Sequence, residues 1–156
     1  MIPSMLLIRP FVPADQAAAR ALILEGLGEH FGQVDPALNP VLDDIAGSYL
    51  ARGHVFLVAE ADGMLVGTGA LRAEGAEGQI VRVSVRHDLR GRGIGRALVM
   101  ALLEAARTRG LDRIWMETND DWHDAIGLYR QYGFREFDRR DGCVFMELGR
   151  TPTPGT

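Results

Sequence analysis

Residues Val83–Val99 read VSVRHDLRGRGIGRALV. Three glycines, Gly91, Gly93 and Gly95, separate the end of a β-like run from the start of a helical one. Arg82, Arg86, Arg90, Arg92 and Arg96 surround them. Glycine has no Cβ, so a ligand can approach the main chain closely at such a loop. A helix that opens there offers unpaired N–H groups and the positive end of its dipole, and phosphate is the usual guest.

Working outward, Gln79–Val85 (QIVRVSV) reads as a central, mostly buried strand through Ile80, Val81, Val83 and Val85. A helix is expected from about Gly93 to Arg109, ended by Gly110, and LDRIWMET follows as a strand. That strand–helix–strand unit predicts a right-handed parallel crossover. Upstream, Asp62-Gly63 joins HVFLVAE to MLVGTGALRA as a two-residue hairpin, and EGAEG makes the next turn.

MLLIRPF is a first strand. Helices are expected over roughly Ala14–Gly28, with Ala18, Leu22 and Leu24 to Leu27 inward, and from Asn39-Pro40 to about Arg52. Downstream, HDAIGLYRQY is a helix before Gly133, and FREFDRR and CVFMEL form a hairpin around Asp141-Gly142. The order is βααβββαβαββ. It predicts an α/β (α+β) fold with a mixed, mostly antiparallel, twisted sheet of about seven strands flanked by helices. Residues 1–149 form the one expected domain, and the RTPTPGT tail, 150–156, is expected to be mobile.

The chain has 156 residues and a net charge of −4, so any cationic site must be local; neither a nucleic-acid nor a membrane partner is expected. Its 17 basic residues are all arginine, which removes every lysine-dependent mechanism. Cys143 is the single cysteine, which points to a reducing compartment. No apolar run reaches membrane-spanning length and no signal peptide is read, so a cytoplasmic location is expected. No metal site is expected.

A nucleotide-triphosphatase loop needs Gly-x-x-x-x-Gly-Lys-[Ser/Thr], and this chain has no lysine. The dinucleotide fingerprint Gly-x-Gly-x-x-Gly would place its third glycine on Arg96, with the strand ending too early at Val85. A surface arginine loop that merely caps a helix stays open. The segment Arg90-Gly91-Arg92-Gly93-Ile94-Gly95 fits Arg/Gln-x-x-Gly-x-Gly/Ala, and DAIGLYRQYGF (Asp124–Phe134) fits A-[IV]-x-L-Y-x-x-x-G-F. With their element context, these two motifs resemble the GNAT superfamily of N-acetyltransferases, over almost the whole chain from IRPF to the final hairpin.

The resemblance implies transfer of an acetyl group from acetyl-CoA (coenzyme A as co-substrate) to an amine by direct attack in a ternary complex. It implies that Arg90, Gly91, Arg92, Gly93, Ile94, Gly95 and Arg96 wrap the pyrophosphate. Val83, Ser84 and Val85 would meet the pantetheine arm and polarise the thioester carbonyl beside a strand bulge. Ala125 and Tyr129 belong to the coenzyme site, with Tyr129 as general acid.

Neutralising an alkylammonium of pKa near 10.4 at pH 7 costs roughly 4.6 kcal/mol, so a base is useful. Glu117, twelve residues before Tyr129, matches a glutamate of peptide-acetylating relatives; a solvent-exposed strand glutamate is the plain alternative. Other relatives use a fourth-strand glutamate where this chain has Gln79, while Glu77 and His123 remain candidates. Many relatives place an asparagine where this chain has Trp122, so either Asn119 or Trp122 is expected at the pantetheine. Residues Glu25, His30, Phe31, Asp35, Tyr49 and Asp43-Asp44 are candidates to line the acceptor pocket, where acidic groups would suit a cationic amine. The acceptor is a small-molecule or peptide amine, and a homodimer is compatible with the family. A noncatalytic acyl-CoA-binding or sensing module on the same fold is the alternative.

Overall fold

The computed structural model describes residues 6–31 and 40–149. The 150–156 tail lies outside the described residues. Seven strands form one sheet in the order β1-β2-β3-β4-β5-β7-β6. They are β1 (Leu6–Pro10), β2 (Val55–Ala61), β3 (Met64–Glu74), β4 (Glu77–Val85), β5 (Arg113–Asn119), β6 (Arg135–Arg140) and β7 (Cys143–Gly149). Every neighbouring pair is antiparallel except β4–β5, which is parallel.

The helices are α1 (Gln16–Phe31), α2 (Ile45–Ser48), α3 (Ile94–Thr108) and α4 (His123–Gln131). The expected order of strands and long helices holds. The second expected helix is instead broken into a 3₁₀ turn at Pro40–Asp43, the single turn α2, and a 3₁₀ turn at Leu50–Arg52. Asp44 causes the first break: it caps α2 by accepting the Gly47 N–H at 3.0 Å.

Local sequence fixes the hairpins. Asp62 and Gly63 take φ of 52° and 84°, and Asp141 and Gly142 take 52° and 75°, the left-handed pair a two-residue turn requires. The sheet then separates two apolar layers. On one face α1, α2 and Phe11 cover Phe56, Val58 and Ala70; the inward positions of α1 are Ala19, Leu22 and Ile23, whereas Ala18 is exposed. On the other face α3 and α4 cover Leu71, Ile80, Met116, Val144 and Met146.

Helix α3 buries Leu98, Val99, Leu102 and Ala106 completely. Each large side chain so buried is worth roughly 1.5–3 kcal/mol. The close approach depends on Gly67 of β3, where a Cβ would sit 2.9 Å from Leu98 Cδ1 and 3.2 Å from Ile94 Cγ2. At the β1 edge, Arg9 grips Asp15 through two hydrogen bonds of 2.8 and 2.9 Å, and Asp15 also accepts the Val12 N–H at 2.9 Å. These bonds lower the Asp15 pKa below the usual carboxylate range and tie the first strand to the start of α1.

Candidate active site

The site is built by one irregularity in β4. Thr68 pairs with Ser84 and Ala70 with Val81, so Arg82 and Val83 together stand opposite the single residue Gly69. This is a β-bulge. Arg82 takes a φ of 58°, unusual for an L-residue, and its carbonyl accepts the Thr68 hydroxyl at 2.7 Å.

The extra residue shifts the side-chain alternation. Val81 packs with the α1/α2 layer, whereas Val83 packs with the α3/α4 layer. It also ends the parallel pairing: β4 and β5 match only at Glu77–Arg113, Gly78–Ile114 and Gln79–Trp115. From Ile80 and Met116 onward the two strands part. Val81, Val83 and Val85 are accordingly only half-buried, although the apolar run suggests a covered strand. Arg86 donates its N–H to Val66 at 2.8 Å, so by ladder alternation Val85 turns its main-chain groups towards β5 and the gap.

The glycine loop closes one end of this gap. Gly91 and Gly93 have φ of 76° and 88°, and no atom lies within 4 Å of a Cβ built on either. Gly93 is the N-cap of α3, with no side-chain cap. Ala97 is the first α3 amide bonded back, to Gly93 O at 3.0 Å. The Ile94, Gly95 and Arg96 amides have no backbone partner among the described residues.

The loop's arginines are directed towards their own neighbours. Arg90 Nε donates to Val85 O at 3.2 Å, and Arg96 stacks over Tyr132 at 5.6 Å. Arg86 pairs with Asp88 at 2.7 Å. The main chain is therefore the donor surface that the loop conformation itself presents.

Tyr129 and Glu117 lie on opposite faces of the sheet. Tyr129, on α4, lies in the α3/α4 core at 4% exposure, edge-on to Phe134 with ring centres 5.2 Å apart. Burial raises its phenol pKa well above the ordinary value. Glu117 lies in the parted half of β5 on the exposed face, where it alternates with buried Met116 and Thr118. Thr118 buries its hydroxyl without a hydrogen-bond partner among the described residues.

Asn119 accepts a long contact from the Cys143 thiol at 3.7 Å. Trp122 is the N-cap residue of α4 and donates its backbone N–H to Asn119 O at 3.1 Å. Ala125 packs half-buried against the α4 side of the core. Glu77 and Gln79 fall in the paired half, and His123 opens α4.

On the α1/α2 face a cavity of about 410 Å³ is lined by Tyr49, Arg52, His54, Arg72, Arg82 and Glu117, among others. Arg82 is held there by its Nε donating to the Tyr49 hydroxyl at 3.1 Å. His54 Nδ1 accepts the Ala73 N–H at 3.0 Å, which leaves the proton of the neutral ring on Nε2. Burial, then the nearby Arg72 charge, lowers the His54 pKa below its ordinary value.

Tyr49 is thus the one anticipated acceptor-side residue that lines this cavity. Asp43 instead pairs with Arg20 at 3.1 Å, Asp44 caps α2, and Glu25 is exposed on α1. The His30 and Phe31 side chains and Asp35 lie outside the described residues. The sequence reading missed the roles of Arg52, His54, Arg72 and Arg82. Its available signal was the doubled apolar pair Ile80-Val81 beside Arg82, a phase slip that betrays a bulge.

A second cavity, of about 460 Å³, lies between α3 and the start of β5, lined by Met100, Leu103, Leu111 and Tyr132 among others. Among the described residues no cluster of three or more His, Cys, Asp or Glu could hold a metal, and no helix is long and apolar enough to cross a membrane.

Known proteins share this fold. Residues 21–134 match the model of the acetyltransferase (GNAT) family. An uncharacterized N-acetyltransferase of Escherichia coli K12, YjgM, is 33% identical over 110 residues, 68% of this chain and 66% of that protein. The chain spans between about half and three quarters of the curated relatives it matches.

A GNAT-family acetyltransferase of Staphylococcus aureus Mu50 superposes with a TM-score of 0.85 at 22% identity, over 94% of this chain and all of that one. The PaiA N-acetyltransferase of Thermoplasma acidophilum, solved with coenzyme A, gives 0.80 at 15% identity, over 93% and 99% of the two chains. The parted strands, the glycine loop at the head of α3 and the family match over most of the chain agree: this chain belongs to the GNAT family of acetyltransferases.

Proposed function

We propose that this protein is an acetyl-CoA-dependent N-acetyltransferase acting on a primary amine. The observation that carries the reading is the parting of β4 from β5 beyond Gln79, directly before a glycine loop whose amides face outward. The residues fit the carrier on three counts: the uncovered main chain at Gly91 and Gly93, the Val85 N–H turned to the gap, and the hydroxyl of Thr118 in its open half, unpartnered among the described residues. The α3 amides with Arg90, Arg92 and Arg96 would hold the diphosphate, and the β4 main chain at Val83 and Val85, with Ser84 between them pairing to Thr68, the pantetheine arm. Ala125, and Asn119 or Trp122, would border that arm from the β5–α4 side.

Bound acetyl-CoA supplies an activated acetyl group: an N–C bond forms as its C–S bond breaks, and the ammonium gives up two protons, one to solvent and one to sulfur. Glu117 takes the first of these, directly or through water, because it is the carboxylate at the open half of the gap. The Val85 N–H would polarise a carbonyl in the gap. Tyr129 stays protonated because it is buried, so its hydroxyl serves as a hydrogen-bond donor to a leaving sulfur.

The test is calorimetry with acetyl-CoA followed by thiol release with a panel of primary amines. Binding with turnover is expected. Tyr129→Phe should lower kcat about a hundredfold while acetyl-CoA affinity stays within twofold. Binding without thiol release for any amine would leave the binding-module reading. No binding at all would overturn both.

A further inference from the structure

The cavity on the α1/α2 face gathers three arginines around one carboxylate. Arg52, Arg72 and Arg82 line it, with Glu117 as the lining carboxylate. None of these arginines has an ion pair among the described residues. Arg9, Arg20, Arg86, Arg107, Arg113, Arg139 and Arg140 each pair with an aspartate or glutamate, and Arg96, Arg109, Arg130 and Arg135, which have no ion pair among the described residues, do not line this cavity. Three guanidinium groups gathered on one concavity repel one another unless an anion joins them.

The cluster is built rather than incidental. The bulge that puts Arg82 at φ 58° aims it onto this face, and Tyr49, itself 4% exposed, fixes its Nε at 3.1 Å. The His54 ring, which also lines the cavity, is fixed by Ala73 and carries its N–H on the other nitrogen. A second ammonium, as in a polyamine, would meet three like charges here. A carboxylate or phosphate would meet planar forks that match its oxygens two at a time.

Resting on the acetyltransferase reading, we infer that the acceptor is an amine that also carries an anionic oxygen group, a carboxylate or a phosphate. That group is seated against Arg52, Arg72 and Arg82, with the amine directed to Glu117. The cavity volume suits one small molecule of amino-acid size. Arg52, Arg72 and Arg82 are then specificity-determining residues.

The experiment compares thiol release from acetyl-CoA for free amino acids, their carboxamides, phosphoethanolamine and the polyamine spermidine. Calorimetry of the same compounds on protein saturated with coenzyme A runs in parallel. The acidic amines should exceed the matched amides at least tenfold in kcat/KM, and spermidine should be the poorest. Arg82→Gln and the exposed Arg72→Gln should each reduce the acid-over-amide ratio about tenfold, through KM rather than kcat.

Preference for free amino acids identifies the carboxylate as the anion, and preference for phosphoethanolamine identifies the phosphate. Equal rates for acid and amide, or spermidine as the best acceptor, would overturn this inference while leaving the acetyltransferase reading intact. Calorimetric binding of the acidic amines that depends on Arg72, without turnover, would sink the enzyme and keep the anion site. Neither turnover nor binding of any acidic amine would remove it.

Discussion

The two halves of the β4–β5 seam differ in almost everything. At one end Glu77, Gly78 and Gln79 pair with Arg113, Ile114 and Trp115, and Arg113 reaches Glu147 of β7 at 2.8 Å. Behind that end Leu71, Ile80 and Ile114 sit in one dry cluster. At the other end β4 carries a bulge and half-buried valines, and β5 carries an exposed glutamate and a buried threonine unpartnered among the described residues. The closed half spends its hydrogen bonds on the ladder, whereas the open half holds them in reserve for a guest. A strand pair that zipped fully would be the more stable, with no place to bind.

The comparison breaks most visibly in the closed half. Leu71 is fully buried, and a Cβ on Gly78 would lie 2.8 Å from its Cδ1, so the site is tightly filled. Leu71→Ala should cost about 2–5 kcal/mol in chemical denaturation, with acetyl-CoA affinity of the folded protein within twofold of the parent. A loss of affinity on the scale of the stability loss would mean that the halves are not separable.

In the open half the expected effect is smaller and opposite in kind. Gly93→Val forces a β-branched residue to φ near 88°, a strain of about 1–2 kcal/mol, beside the free amides of α3. Acetyl-CoA affinity should fall about tenfold while the melting temperature moves by a few degrees at most. Normal affinity would discredit the loop as the diphosphate site.

The smallest effect concerns His54, which lines the cavity beyond the open half. Its folded pKa lies below the ordinary value of about 6.5, so the unfolded chain takes up this proton first as pH falls. Stability linked to His54 is therefore complete above pH 7 and declines as pH drops through the ordinary histidine range towards the folded value. His54→Asn, which can still accept the Ala73 N–H, should flatten that part of the stability difference between pH 7 and pH 5. Identical slopes for parent and variant would show that His54 is not held neutral.

Much of this was legible in the chain. Asp62-Gly63, Asp141-Gly142, Gly110 and Gly133 mark turns and helix ends because each needs a left-handed φ there, a local demand. The glycine loop and the DAIGLYRQYGF segment carried the family for the same reason, since their spacing is that of one loop and one helix. The inward face of α1 was misjudged at Ala18, Ile23 and Glu25, because a stretch so rich in alanine and leucine offers little contrast between neighbouring positions.

The sequence by itself determined the order of elements, the hairpin turns and the glycine-capped start of α3. These follow from backbone sterics and side-chain periodicity within a few residues. Only the tertiary structure decided that β4 leaves β5 after Gln79, that Arg82 turns to the α1/α2 face, and that Arg52, His54 and Arg72 meet it there. A bulge is a mismatch in count between two strands, so its consequences exist only once β3 and β4 are paired and the helices have covered the sheet.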